Sequence, residues 1–298
     1  MSRVIILMST WNGEKFLDDQ LNSIFNQSFC GELEIIIRDD GSKDNTISIL
    51  KNYQKKHNIT IIYGNNIGTK NSFFELMRIA SQRNADFFAF ADQDDVWLPD
   101  KISNGVETLM HLDDKPALYC SALNVVDSDL NQISIYQHSK PKSIISTLIS
   151  NFATGCSCIF NRQLLKVILY PVNSNSILMH DWWIALIATA YGVVKYDSIP
   201  HILYRQHAGN QIGVFSKRNT YLARLKRFFR SDLPPSRLSQ ALELQATYGG
   251  TLPHSSQLEL DEFLSSYNFF IKRIRFVFFN RSSINFLSKI RFIIKGLS

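Results

Sequence analysis

Asp86-Phe87-Phe88-Ala89-Phe90-Ala91-Asp92-Gln93-Asp94-Asp95 is the stretch on which the fold turns. Five apolar residues run straight into a cluster holding three carboxylates. A short continuous apolar run bounded by polar residues is a strand buried on both faces, as parallel sheets require. The same figure recurs upstream. Val4–Met8 leads into Ser9-Thr10-Trp11-Asn12-Gly13, Leu33–Ile37 into Asp39-Asp40-Gly41-Ser42, and Ile59–Tyr63 into Gly64-Asn65-Asn66 and Gly68. Between these strands lie segments of helical character. Glu14–Gln27 carries Phe16, Leu17, Leu21, Ile24 and Phe25 on one face; Thr46–His57 has Asp44 or Asn45 in place to cap it; Asn71–Arg83 is the third. Lys101–Leu112 follows the Trp97-Leu98-Pro99 turn as a helix, and Ala117–Val126 reads as a fifth strand. This βαβ alternation predicts an α/β fold, a mostly parallel sheet with helices on both faces.

Beyond it the pattern is less regular. Thr154–Phe160 reads as a strand, Arg162–Leu169 as a short helix, His180–Tyr191 as an apolar helix, and Val193–Arg205 as one or two strands. The 298 residues carry 45% hydrophobic and 19% charged side chains, which excludes collagen, low-complexity disorder and a disulfide-dense miniprotein. Cys30, Cys120, Cys156 and Cys158 lack zinc-ribbon spacing and read as reduced thiols. Cys156 and Cys158 read as small buried side chains rather than a metal pair. Val4–Met8 is too short for a signal core, and the uncharged stretch between Lys142 and Arg162 is interrupted by Ser, Thr and Asn. The expectation is a cytoplasmic protein whose membrane contact, if any, is peripheral.

The net charge of +6 is uneven. Residues 217–298 hold 14 lysines and arginines against five acidic residues, so the chain before them is mildly acidic. From Lys272 onward there are seven basic residues, no acidic one, and large apolar residues interleaved. Tyr221–Arg230 has the same character at helical spacing. The reading is a body over 1–215, a boundary near Phe215–Arg218, and a basic helical extension over 216–298 suited to an anionic membrane surface. A helix packed on the body with a solvated basic face is the plainer alternative. No nucleic-acid motif is present, so a nucleic-acid partner is not expected.

In a parallel sheet, the polar clusters after the first four strands fall along one edge, where open α/β sheets bind ligands. Gly-x-Gly-x-x-Gly is absent after the first strand, and no P-loop occurs. Carboxylates crowd the edge, so an anionic substrate needs an intervening cation. Mg²⁺ or Mn²⁺ takes one or two carboxylates and completes its shell with phosphate oxygens and water. Asp92-x-Asp94 offers that grip, because alternate residues of an extended chain face the same way.

Ser9-Thr10-Trp11-Asn12-Gly13-Glu14, Asp39-Asp40-Gly41-Ser42-Lys43-Asp44-Asn45-Thr46 and Asp92-Gln93-Asp94-Asp95-Val96-Trp97 together resemble family-two glycosyltransferases of the Rossmann-like GT-A fold. Thr154-Gly155-Cys156, His180-Asp181-Trp182-Trp183 and Tyr204-Arg205-Gln206-His207-x-x-Asn210 are similar to the bacterial rhamnosyltransferase-like branch, which builds surface polysaccharides. The resemblance spans roughly residues 3–213. It implies a nucleotide-sugar site from Thr10, Trp11, Asn12, Asp39, Asp40, Asp92 and Gln93. Trp11 would stack on the nucleobase, in a place where tyrosine is more usual. Asp39 would accept the imide N–H that uracil and thymine present and cytosine does not. Asp92 would lie by the ribose, Asp94 would bind the metal, and His207 would be a further metal or diphosphate contact. Arg205 could pair with phosphate or with a structural carboxylate.

A sugar hydroxyl is a poor nucleophile, and a general base helps by roughly 10²–10⁴-fold. Asp181 is the choice, with Trp182 and Trp183 stacking on acceptor sugar rings; helix capping and core packing are the competing readings. One base and direct displacement imply inversion at the anomeric carbon. The resemblance implies a dTDP-L-rhamnose donor, with a UDP-sugar as alternative, and a lipid-linked saccharide acceptor. A catalytically silent scaffold and a metal-dependent nucleotidyltransferase or phosphatase are the readings from other classes. A haloacid-type phosphatase needs Asp-x-Asp after the first strand, where Ser9-Thr10-Trp11 stands. Gln-x-x-Arg-Trp, the mark of processive family-two polymerases, is missing.

Overall fold

A computed structural model describes residues 1–112, 114–138, 143–207 and 235–267. The expected boundary at Phe215–Arg218, the Tyr221–Arg230 segment, Asn210 and the stretch from Lys272 onward lie outside the described residues.

The first strands and helices alternate as the apolar runs demand: β1 (Arg3–Thr10), α1 (Leu17–Phe25), β2 (Glu32–Asp39), α2 (Thr46–Gln54), β3 (Ile59–Tyr63), α3 (Thr69–Ser81) and β4 (Phe87–Ala91). β1 pairs in parallel with both β2 and β4, and β2 with β3. Val4 to Met8 and Phe88 to Ala91 are 0% exposed, as strands covered by helices on both faces must be. β5 (Val96–Trp97) and α4 (Lys101–Leu109) follow, then β6 (Ala117–Ser121), β7 (Leu123–Val126) and β8 (Gln132–Tyr136). The rest comprises α5 (Ile144–Ile149), a 3₁₀ turn (Gly155–Ser157), β9 (Ile159–Asn161), α6 (Arg162–Ile168), α7 (His180–Tyr191), β10 (Val193–Asp197), β11 (Ile202–Arg205), α8 (Arg237–Tyr248) and α9 (His254–Tyr267).

Seven strands form the main sheet in the order β10-β6-β9-β4-β1-β2-β3, and four form a second in the order β5-β11-β7-β8. Only β9 runs against its neighbours in the main sheet, pairing antiparallel with β4 and β6. Two expectations are corrected. Ala117–Val126 is two strands in different sheets: the chain turns at Ala122, whose N–H is taken by the Asp197 carbonyl at 2.8 Å. Both halves are buried, so the apolar run hides the break. Thr154–Phe160 begins as a 3₁₀ turn, closed by Cys158 N–H on the Gly155 carbonyl at 2.9 Å and by Ser157 Oγ on the Thr154 carbonyl. Cys156 and Cys158 then enter the two separate apolar cores that flank the sheet.

The helices α8 and α9 pack on one of those cores. Ala241, Leu244, Leu260 and Phe263 are 0% exposed within it, and Tyr248 donates its hydroxyl to the Val167 carbonyl at 2.9 Å. Removing residues from 217 onward would therefore strip side chains out of the core. Phe263→Ala is expected to destabilise the protein by about 3–5 kcal/mol, through lost burial and the cavity left behind. Equilibrium urea unfolding reads this as a lower midpoint at unchanged slope; an unchanged midpoint would deny that α9 belongs to the core.

Candidate active site

The carboxyl edge of β1, β2, β3 and β4 opens into a cleft of about 1120 Å³, as expected. The loops at that edge are stitched to one another by their polar side chains. Asn12, at φ 48°, takes the left-handed backbone that Asn tolerates. Its N–H goes to Ser42 Oγ at 2.9 Å, and its Oδ1 accepts from Lys43 N at 2.8 Å. Gly13 N–H donates to Thr46 Oγ1, and Glu14 N–H to Asp44 Oδ2. Asp44 Oδ1 accepts from both Thr46 N and Oγ1, so the aspartate rather than Asn45 satisfies the start of α2. Much of the motif after β2 thus exists to hold the loop after β1.

Trp11 is 49% exposed and lines the cleft with its ring free for a ligand. Gln93 fixes its backbone from both sides: Gln93 Oε1 accepts from Trp11 N at 2.8 Å, and Nε2 donates to its carbonyl at 3.2 Å. Thr10 and Asp39 lie behind this wall at 0% and 1% exposure, bonded to each other at 3.0 Å. Asp39 also accepts from Gly41 N, Ser42 N and Ser42 Oγ, the last at 2.6 Å. Asp40 lines the cleft, paired with Arg38 and accepting from Ile67 N and Gly68 N at 2.9 Å each. It anchors the loop before α3, and the cation of Arg38 keeps that burial tolerable.

Asp92, Gln93 and Asp94 line the cleft beyond β4. Asp94 Oδ2 meets His207 Nε2 at 2.8 Å, uniting residues 113 apart in sequence. Arg205 serves the loop from below. Its Nε donates to the Asp94 carbonyl at 2.9 Å, its backbone N–H to Asp95 Oδ1 at 3.0 Å, and its Nη2 to Asp19 at 2.8 Å. Of the two roles open to Arg205, the structural carboxylate is the one seen. Asp95 is 0% exposed; burial first, then the Asp94 and Asp92 charges, push its carboxyl well up. Asp92 is pushed up by burial, then by Asp94 and Asp181.

Such crowding is what a cation relieves. Asp92, Asp95 and Cys156 bring ligand atoms within 4.8 Å of one another. Burial raises the Cys156 thiol well above its usual range, so it stays protonated, and hard cations prefer oxygen. Asp94 and His207, partly exposed at the cleft, fit Mn²⁺ or Mg²⁺ better, with Asp92 beside them.

Asp181 lines the same cleft as this cluster, in the first turn of α7. The N-cap is Met179, so Asp181 is not the cap. Its Oδ1 accepts from Trp182 N at 2.6 Å and its Oδ2 from Gly155 N at 3.1 Å. Burial lifts its carboxyl to about 6. Trp182 lines the cleft, its indole N–H pinned to the Thr147 carbonyl at 2.6 Å. Trp183 is corrected: at 0% exposure it points into the core beside Tyr248, since neighbours on a helix face different ways. Tyr136, His138, Asn151 and Leu178 complete the wall near Asp181. Sequence reasoning missed Tyr136 because β8 does not announce itself as a strand, and His138, Asn151 and Leu178 because they lie in connecting segments. The alternation Gln132-Ile133-Ser134-Ile135-Tyr136 was the available signal.

The glycosyl transferase family 2 pattern matches residues 5–169, more than half the chain. The chain belongs to glycosyl transferase family 2. It is 29% identical over 225 residues to the dTDP-rhamnosyl transferase RfbG of Shigella flexneri, covering 69% of this chain and 73% of RfbG. It is 26% identical over 196 residues to the putative teichuronic acid biosynthesis glycosyltransferase TuaG of Bacillus subtilis, covering 64% of this chain and 75% of that one. In structure it is similar to S. aureus TarS 1-349 in complex with UDP-GlcNAc, with a TM-score of 0.60 at 17% identity over 95% of this chain and 74% of that one. The mannosyltransferase PcManGT from Pyrobaculum calidifontis, solved with GDP-Man and Mn²⁺, gives a TM-score of 0.52 at 15% identity, covering 97% and 78%. The sheet order and these neighbours establish the GT-A fold.

Proposed function

We propose that the protein is an inverting, metal-dependent glycosyltransferase that moves a sugar, L-rhamnose from dTDP-L-rhamnose, onto a lipid-linked saccharide in surface polysaccharide synthesis. The observation that carries the chemistry is the placement of Asp181, half-buried and held by two backbone N–H groups, in one cleft with Asp92 and Asp94. Likeness to RfbG supports the donor. A UDP-sugar donor with the same chemistry is the second reading, supported by the fold it shares with TarS.

In this reading Trp11 stacks on the base, positioned by Gln93. Asp39 recognises the imide N–H by exchanging one hydroxyl bond, that of Ser42 or Thr10, for it. Asp92 faces the ribose, and Asp94 with His207 would hold Mn²⁺ or Mg²⁺. When bound, that ion neutralises the diphosphate and eases its departure. Asp181 takes the proton of the acceptor hydroxyl as it attacks the anomeric carbon from the opposite face. Trp182 offers an apolar plane to the acceptor sugar. Among the described residues no helix is long and apolar enough to cross a membrane. The basic stretch from Lys272 onward supports a proposed peripheral seat at the cytoplasmic membrane face, where each basic side chain contributes about 1 kcal/mol on anionic lipid.

A donor panel tests the proposal. Thermal stabilisation and hydrolysis are measured with dTDP-, UDP- and GDP-sugars, with and without Mn²⁺. Stabilisation and turnover by dTDP-rhamnose that require Mn²⁺ are expected; preference for a GDP-sugar, or indifference to metal, overturns it.

A further inference from the structure

His180 has an assignment in neither the metal cluster nor the base, yet its surroundings are unusual. It is 3% exposed, and neither ring nitrogen has a hydrogen-bond partner. The ring lies flat on Phe73 at 3.9 Å between centroids and edge-on to Phe90 at 5.0 Å. Burial lowers its pKa to about 3, so the imidazole is neutral at working pH, with one N–H donor and one lone pair. An unpaired buried polar atom costs about 1–3 kcal/mol. A phenylalanine would fill the same aromatic slot without that cost, so packing alone does not account for histidine here.

The way out for the ring is toward the cleft, whose lining includes His180, Asp181 and Gly155. A Cβ built on Gly155 would stand 3.0 Å from His180 Nε2 and 3.5 Å from Asp181 Cβ. That backbone is not in the left-handed region, so the glycine is not there for conformation. It leaves open the space in front of Nε2. A sugar hydroxyl both donates and accepts, and so matches either tautomer.

Building on the transferase reading above, we propose that His180 is a sugar-reading residue, its Nε2 bonding a hydroxyl of the donor or acceptor sugar through the gap left at Gly155. The ligand supplies the partner that the protein withholds, and selectivity arises because a sugar lacking that hydroxyl leaves the nitrogen unpaired.

His180→Phe tests this. Its melting temperature is expected to equal or exceed that of the unaltered protein, while kcat/KM for transfer falls about 10- to 100-fold, the worth of one buried hydrogen bond. Deoxy analogues of the substrate lose the same factor with the unaltered enzyme and nothing further with His180→Phe. Donor hydrolysis without acceptor separates the sources: a parallel loss places the hydroxyl on the donor, and retained hydrolysis places it on the acceptor. Gly155→Ala, which closes the gap while keeping the histidine, is expected to reproduce the loss and guards against a folding failure of the first variant. A lower melting temperature in His180→Phe would mean that the nitrogens have a structural partner and would overturn the proposal. So would full transfer by both variants. Absence of any sugar transfer by the unaltered protein would instead defeat the transferase reading and leave the stability result at His180 standing.

Discussion

Asp181→Asn lowers transfer by about 10³-fold or more while leaving donor affinity within about twofold. A general base contributes roughly 10²–10⁴-fold, and the amide cannot take a proton from the acceptor. Asparagine keeps the size of the side chain and one carbonyl oxygen for Gly155 N or Trp182 N, the two donors that hold the carboxylate. The fold around α7 therefore survives, as its melting temperature would show. The acidity follows from the same burial. Asp181 titrates at about 6, above the ordinary carboxylate range, because its charged form is desolvated. The base must be ionised to act, so kcat/KM is full above that value and falls as pH drops through it. Its slope in the pH–rate profile is lost in Asp181→Asn. A large loss of donor affinity in this variant would assign Asp181 to the donor site instead.

The second large effect belongs to Asp94. In Asp94→Ala, Mn²⁺ no longer tightens the binding of the nucleoside-diphosphate sugar, a loss of about 100-fold or more, at least that of losing a supporting contact to a metal ligand. The loop itself stays in place. Arg205 grips the Asp94 backbone carbonyl and the Asp95 carboxylate, neither of which the substitution removes. Calorimetric titration of the donor with and without Mn²⁺ measures the effect. Unchanged stimulation by Mn²⁺ would move the metal to other ligands.

The part of the fold that sequence revealed is the part where one strand is one apolar run. β1 to β4 and the helices between them announce themselves, because β1, β2 and β4 are largely buried on both faces and all four apolar runs end abruptly in polar residues. β6 and β7 do not, since a chain passing from one buried sheet to another keeps the same hydrophobic texture through Ala122. The site divides in the same way. Asp92, Gln93, Asp94, Trp11 and Asp40 follow strands at a common edge, so their meeting in one cleft was legible. Trp182 and Trp183 were not separable by spacing that only the helix's rotation resolves. Tyr136 ends a strand whose alternation is short, His138 lies just beyond it, and Arg205 reveals its task only through carbonyl partners distant in sequence.

The packing of α8 and α9 also bears on how the chain is made. Leu260 and Phe263 complete an apolar surface built from residues as early as Ile5 and Leu7. On the ribosome, where synthesis proceeds at about 5–20 residues per second, the first two hundred residues emerge well before their cover. For some seconds in each round of translation that apolar flank is left without its cover.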